Sequence, residues 1–199
     1  PKMHTVTDRD IQAAKQIARQ FDAAIRANES DAAQKAAQDF RALIVSANGA
    51  KGEFGIFAPD GAGTVMTAAL AAKDEDVPHW GQNGLFVLET DHGRVLVGFT
   101  CPLDICSRFE FNAIDLDLPF ISETGFQSHF YAEWPPVSVN EAAAIIFCQY
   151  AKAGKMTNID PKYRQGRLER MPDFVQISSS DFQGVLTKTD STGQIGFQF

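Results

Sequence analysis

The sequence predicts an α+β protein in which an N-terminal helical hairpin packs on a mixed, largely antiparallel sheet with flanking helices. Two stretches with helical spacing come first, and runs of alternating apolar and polar residues with short glycine-containing turns follow them. The 199 residues suffice for one core, to which 16 phenylalanines contribute. We therefore expect a single domain over residues 1–199, with the hairpin in 1–49 and an α/β core in 50–199.

The two helices of the hairpin are predicted by apolar spacing and by their end signals. Apolar residues recur at helical spacing over residues 7–26, where Thr7 or Asp8 can cap the first amides. Ser30 can cap the second helix, which Asn48-Gly49 should end. The residues expected to be buried in the second helix are Ala33, Ala37, Phe40 and Ile44.

A short strand and two further helices are predicted from local signals. Residues 53–57 have strand character and are closed by the turn signal Pro59-Asp60-Gly61, after which residues 64–73 have helical character. Ser138-Val139-Asn140-Glu141 has the spacing of a capping box. A helix should therefore run from it to about Ala153.

The sheet is predicted from alternation and turn chemistry. Residues 85–90 and 94–100 flank Asp91-His92-Gly93, a three-residue connection with a glycine that indicates a β-hairpin. Residues 108–116 alternate apolar and polar side chains, which is typical of a strand with one wet face. Short strands are also expected at residues 174–177, 183–188 and 194–199.

Composition and charge limit the possible function. A net charge of −7 argues against a protein whose whole surface binds nucleic acid, because phosphate neutralisation requires a basic face. No apolar run approaches the roughly 18 residues of a membrane span, and no secretory signal pattern is evident. Three cysteines do not make a paired framework, so we expect a reduced, soluble protein in the cytoplasm.

The cysteines and histidines form no recognisable metal or catalytic motif. Cys101 and Cys106 lie five positions apart, but no second pair completes a tetrahedral shell, so no structural metal is expected. Cys148 should lie in the core on its helix. His79 belongs either to a binding loop or to a packed aromatic corner, and His92 is explained as a turn residue.

The polar segment at residues 122–129 is the strongest candidate for a site. Glu123 could act as an acid or base, while the neighbouring hydroxyl groups could hydrogen-bond a ligand. The alternative is a capped turn that starts a helix, with Phe126 and Phe130 packed inward. The candidate catalytic residues are Glu123, Thr124, Ser128 and His129.

One local cationic patch lies within residues 152–170. It holds six of the chain's 18 Lys and Arg residues and is opposed only by Asp160 and Glu169. Such a patch can contact a nucleic-acid backbone or an acidic partner, although a solvated face with surface ion pairs explains it equally well. The candidate nucleic-acid-binding residues are Lys155, Lys162, Arg164, Arg167 and Arg170.

Two stretches in the middle third carry a family resemblance. They are VPHWGQNGLFV at residues 77–87 and AIDLDLPFISETGF at residues 113–126. With them, the chain resembles the Osa-like plasmid fertility inhibition factors. The resemblance implies a ParB/sulfiredoxin-type fold and a block of DNA export through a conjugative or oncogenic type IV secretion system. It also implies ATP hydrolysis and DNA cleavage with a divalent cation such as magnesium, although the Gly-Glu-Arg-Arg and Gly-Cys-His-Arg types of motif are absent.

Within such a fold, Arg94 or Arg108 would hold phosphate near the polar segment while Glu123 orients a water molecule or a metal ion. The cationic patch would hold the transferred DNA strand. A competing hypothesis is a stoichiometric inhibitor that binds a coupling component of the secretion system, peripherally at the inner membrane. An immunity-type or adaptor protein with an unrelated partner is the third.

Overall fold

A computed structural model of the chain describes residues 6–101, 103, 107–131 and 134–175. Within these ranges it contains five α-helices and four β-strands, so the α+β class is confirmed. In chain order the elements are α1 (Asp8–Arg26), α2 (Ser30–Ala47), α3 (Ala62–Leu70), β1 (Gly84–Thr90), β2 (Gly93–Thr100), β3 (Ser107–Ala113), β4 (Phe126–Tyr131), α4 (Val139–Tyr150) and α5 (Pro161–Leu168).

Both helices of the N-terminal hairpin form, but Ser30 does not cap the second one: α2 begins at Ser30, and Glu29 precedes it without a capping side-chain hydrogen bond. At the start of α1, the Asp10 amide donates to the Thr7 hydroxyl at 3.3 Å, and the Thr7 amide donates to the Asp10 carboxylate at 2.9 Å. This reciprocal pair satisfies amides that have no partner within the helix. Asn28 turns the chain between the helices with a φ of 60°. The four residues expected to be buried in α2 are all buried.

The four strands form an antiparallel meander in the order β1-β2-β3-β4. Thr90 pairs with Gly93, so the hairpin loop has two residues rather than three, and Gly93 takes a φ of 109° that a side chain disfavours. Successive residues of a strand face opposite sides of the sheet. We call the side that carries Phe111 the inner face and the side that carries Asn112 the outer face.

The inner face belongs to one continuous core with the helices. Phe86, Phe109 and Phe111 are fully buried there, and Phe147 of α4 lies 6.0 Å from Phe111 between ring centroids. The same core extends to α1 and α2. The outer face is covered in part by the chain after α5, where Met171 and neighbouring residues pack near Leu96.

Several sequence-based boundaries were wrong. Residues 53–57 are turns rather than a strand, because Gly52 and Gly55 take φ values of 54° and 68° that interrupt an extended backbone. The helix expected at residues 64–73 begins at Ala62 and ends at Leu70.

The C-terminal part also differs from expectation. β3 ends at Ala113, and α5 replaces what the sequence analysis treated only as a cationic patch. Phe174 and Val175 are helical rather than extended, whereas the strands expected at residues 183–188 and 194–199 lie outside the described residues. Over the described part of the chain, no helix is both long and apolar enough to cross a membrane.

Candidate functional site

The first half of the polar segment forms a tight turn. The Gly125 amide donates to the Ser122 carbonyl at 3.0 Å, and Gly125 takes a φ of 67°. The Thr124 hydroxyl lies 3.0 Å from the Ser122 hydroxyl and donates to the Phe126 carbonyl at 3.2 Å. These contacts use the Thr124 side chain within the turn itself. The Glu123 residue is exposed beside it.

The second half of the segment is strand β4, which separates the remaining candidates. Ser128 pairs with Glu110 on the outer face, and His129 pairs with Phe109 on the inner face. There His129 Nδ1 shares a hydrogen bond with the Tyr150 hydroxyl at 3.0 Å, and burial lowers the pKa of the imidazole. The alternative of a helix starting in this segment was wrong, because residues 126–131 form strand β4. Phe130 is 63% exposed rather than packed inward.

The two arginines expected to hold phosphate have carboxylate partners. The Arg94 guanidinium contacts Asp115 at 2.5 Å, and this hydrogen bond raises the pKa of Arg94. The Arg108 guanidinium lies 3.0 Å from Glu110, two residues along the same face of β3. Their charges are therefore compensated, and a phosphate would have to compete with a carboxylate for each.

The cationic patch is mostly engaged in contacts of its own. Lys162 pairs with Asp160 at 2.8 Å, and Arg164 pairs with Asp117 at 2.5 Å. The Lys155 ammonium lies 4.8 Å from the centre of the Tyr150 ring. Ion pairs of this kind are typical of a solvated face, and nucleic-acid binding by the patch stays a prediction.

Arg167 joins α5 to the polar turn. Its Nε donates to the Thr124 carbonyl at 3.0 Å, and a terminal nitrogen donates to Asn112 Oδ1 at 3.1 Å. Its guanidinium also lies 5.1 Å from the Phe126 ring centre. Burial, with a smaller effect of Arg170, lowers the pKa of Arg167. The structure thus brings the polar segment and the basic helix together, and the two arginines line a cleft of about 170 Å³.

A larger cleft of about 740 Å³ lies against the N-terminal hairpin, and we call it the hairpin cleft. It is formed by α1, the end of α3 and the segment from residue 71 to residue 82. Its charged or titratable lining residues are Lys15, Arg19, Asp22, Lys73, Asp76 and His79. Sequence reasoning identified only His79, because the other residues are ordinary surface charges until α1 and α3 are packed together.

Trp80 anchors the loop that carries His79. The Trp80 ring is fully buried, and its Nε1 donates to the Val137 carbonyl at 2.7 Å. The Trp80 amide donates to Asp22 Oδ1 at 3.1 Å. The aromatic corner is therefore formed by Trp80, while the His79 side chain is 65% exposed and lines the hairpin cleft.

Cys101 and Cys148 lie in different environments. Cys101 is buried, and burial raises the pKa of its thiol to about 11. Cys148 was wrongly expected in the core, because it is on the exposed side of α4. Cys106 lies outside the described residues. Within the described ranges, no three His, Cys, Asp or Glu side chains are grouped so that they could hold a metal ion.

Comparison with known proteins gives one recurring match. Residues 83–158 match the family described as the KlcB third domain, and this range contains all four strands and α4. A Protein KlcB of Escherichia coli is 36% identical over 163 residues, which cover 78% of this chain and 40% of that protein. A second Protein KlcB of Escherichia coli is 41% identical over 75 residues, which cover 36% of this chain and 16% of that protein. The match thus extends over less than half the length of either relative. No solved structure matches the chain significantly.

Proposed function

We propose that this chain is a plasmid accessory protein of the fertility-inhibition type, which blocks DNA export by binding a component of the secretion machinery. The resemblance of residues 77–87 and 113–126 to Osa-like plasmid fertility inhibition factors supports the class. The similarity to Escherichia coli KlcB is consistent with a plasmid accessory function. The ParB/sulfiredoxin type of fold remains a part of this proposal, to be tested by superposing an experimental structure.

The separation of Ser128 from His129 is the observation that favours binding over DNA cleavage. A nuclease needs its base and its phosphate-binding groups within hydrogen-bond reach of one scissile bond. Here Ser128 and His129 lie on opposite faces of β4, and Thr124 is engaged in its own turn. Glu123 is exposed on that turn rather than enclosed in a cleft.

Charge is consistent with binding to a basic partner. The net charge is −7, and Arg94, Arg108 and Arg164 already contact carboxylates. Asp74-Glu75-Asp76 is an exposed acidic run between α3 and β1. An acidic surface of this kind attracts the basic DNA-binding face of a transfer protein and speeds its association.

ATP- and magnesium-dependent DNA cleavage is the second candidate. One observation favours it, because Arg167 donates to the Thr124 carbonyl and the Asp160 amide donates to the Glu123 carbonyl at 2.9 Å. The basic helix α5 therefore borders the turn that carries Glu123, the acid among the candidate catalytic residues. In this version Arg170 would contact the DNA strand and Glu123 would orient a water molecule or magnesium.

A plasmid-transfer assay separates the two candidates. Donor cells would express the wild-type chain, Glu123→Ala, or a double variant with Asp74→Lys and Glu75→Lys. Binding predicts that Glu123→Ala still inhibits transfer and that the double variant does not. The matched control carries Glu89→Lys and Asp91→Lys, which change the charge equally at the exposed tip of the β1–β2 hairpin and should leave inhibition intact.

Assays on purified protein could overturn the binding proposal. Plasmid nicking and ATP hydrolysis would be measured with magnesium present for the wild type and for Glu123→Ala. Activity in the wild type that Glu123→Ala abolishes, with an unchanged circular dichroism spectrum, would establish the enzyme and overturn the binding proposal. Equal activity in both proteins would indicate a contaminant.

A further inference from the structure

We propose that the hairpin cleft binds a small molecule that carries a phosphate group, with Lys15, Arg19, Lys73 and His79 as its ligands. The cleft volume of about 740 Å³ lies within the range of small-molecule and cofactor sites. This inference does not depend on the proposed function, because the cleft lies away from the polar turn and α5.

The arrangement of charge favours an anion. Lys15 and Arg19 lie four residues apart on α1, a spacing at which like charges repel, and Lys73 adds a third cation to the same cleft. Among the described contacts, none of the three has a carboxylate partner, although the chain as a whole is acidic. A bound phosphate would neutralise this group and accept charge-assisted hydrogen bonds from it.

Two carboxylates, Asp22 and Asp76, line the cleft beside the three cations, and Asp22 is already engaged. The Asp22 side chain is only 15% exposed, and its Oδ1 accepts the Trp80 amide at 3.1 Å. Its Oδ2 lies 3.6 Å from His79 Nδ1. Because Asp22 contacts Nδ1, Nε2 is the His79 ring nitrogen that can face a ligand in the cleft.

The loop that presents His79 is held in place before any ligand binds. The His79 amide donates to Gln82 Oε1 at 2.9 Å, and the Gln82 amide donates to the His79 carbonyl at 3.0 Å. Gly81 takes a φ of 89°, and a Cβ there would lie 3.0 Å from the Leu103 side chain. A preorganised loop loses little conformational entropy on binding, which favours affinity.

The shape of the cleft favours a small molecule over a nucleic acid. Nucleic-acid backbones are bound by extended basic surfaces, whereas these cations border a concave space with Ala18 and Leu70 in its lining. The ring of Trp80 is fully buried and cannot stack on a base. The cleft would therefore recognise the phosphate group of its ligand rather than a base. Pyrophosphate is a suitable probe because it carries phosphate groups and no base.

The test is calorimetric titration of the purified full chain with sodium pyrophosphate at low salt. The double variant Arg19→Gln with Lys73→Gln should bind about tenfold more weakly or worse, since each removes a charge-assisted hydrogen bond. His79→Gln should also weaken binding. The matched control, Lys35→Gln with Lys51→Gln, removes the same charge from exposed ion pairs elsewhere and should bind as the wild type does.

Two results would overturn the proposal. One is the absence of measurable heat and of His79 ring shifts in NMR spectra when the wild type is saturated with millimolar pyrophosphate. The other is an equal loss of affinity in the Arg19/Lys73 variant and in the Lys35/Lys51 control, which would show attraction by overall charge alone. Unchanged thermal unfolding of both double variants establishes that neither result comes from misfolding.

Discussion

Asp115 is bound to Arg94 through both the backbone and the side chain. Its carboxylate accepts the Arg94 amide at 2.8 Å and the Arg94 guanidinium at 2.5 Å. Gly93 lies against the Asp115 carboxylate, because a Cβ added at Gly93 would be 3.2 Å from Asp115 Oδ2. These contacts fix the chain leaving β3 against the first residues of β2, and so they set the path into the polar turn.

Replacing Asp115 by Asn should destabilise the protein by about 1–3 kcal/mol, because the variant leaves the Arg94 charge without its partner in a partly buried place. Urea unfolding at pH 7 measures this loss. Asp117→Asn is the control, since that side chain is 93% exposed and should change stability far less. Equal losses in the two variants would contradict a special role of Asp115.

The same pair gives a prediction for acid pH. Burial alone would raise the pKa of the Asp115 carboxyl, but the hydrogen bonds from Arg94 outweigh burial and hold the pKa below its ordinary value. A carboxyl with a lowered folded-state pKa stabilises the fold above its unfolded pKa of about 3.9 and loses this effect as the pH falls through the folded pKa. The stability difference between wild type and Asp115→Asn should therefore shrink below about pH 4.

His129 should make stability fall between pH 7 and pH 5. Burial lowers the pKa of its imidazole, so the unfolded chain takes up a proton before the folded chain does. Stability is then greatest above the unfolded pKa of about 6.5 and declines as the pH falls towards the folded value. His129→Gln should have a flatter profile over this range in urea unfolding, and a slope as steep as that of the wild type would contradict this role of His129.

Arg167 should matter for stability, whereas Arg170 should not. Arg167→Ala removes hydrogen bonds to Thr124 and Asn112, and we expect a loss of about 1–3 kcal/mol in the free energy of unfolding. Arg170→Ala should change it by less than about 0.5 kcal/mol, as exposed substitutions usually do. If both variants unfold like the wild type, the Arg167 contacts are unimportant for the fold.

Local signals in the sequence sufficed for α1, α2, α4 and the β1–β2 hairpin, whereas α5 was not predicted. The cap at Thr7, the capping box at Ser138 and the alternation that begins at residue 108 depend on neighbours in the chain, and all three are present in the structure, although β3 ends at Ala113. The strand expected at residues 53–57 failed because two glycines with positive φ outweigh its strand-like composition.

The candidate site depended on tertiary facts that the sequence does not carry. The many polar residues at 122–129 indicated a site. Because residues 126–131 form a strand, however, adjacent side chains such as Ser128 and His129 lie on opposite faces of the sheet. The sequence pattern did not distinguish this strand from a helix. The carboxylate of Asp115 neutralises the charge of Arg94, and the two residues are 21 positions apart in the sequence, so local patterns do not indicate the pair. The hairpin cleft likewise exists only because α1 packs beside α3. The sequence shows that Lys15 and Arg19 are four residues apart, but it does not show that they border a cleft.

Cys148 should react with iodoacetamide in the native protein, and Cys101 should not. The thiolate is the reactive form, and burial raises the pKa of Cys101 to about 11 while closing access to its sulfur. Cys148 is exposed on α4. Peptide mapping by mass spectrometry after a short exposure at pH 8 measures each cysteine separately. Labelling of Cys101 should rise sharply in urea above the unfolding midpoint, and its labelling at the rate of Cys148 in native buffer would contradict the packing described around β2.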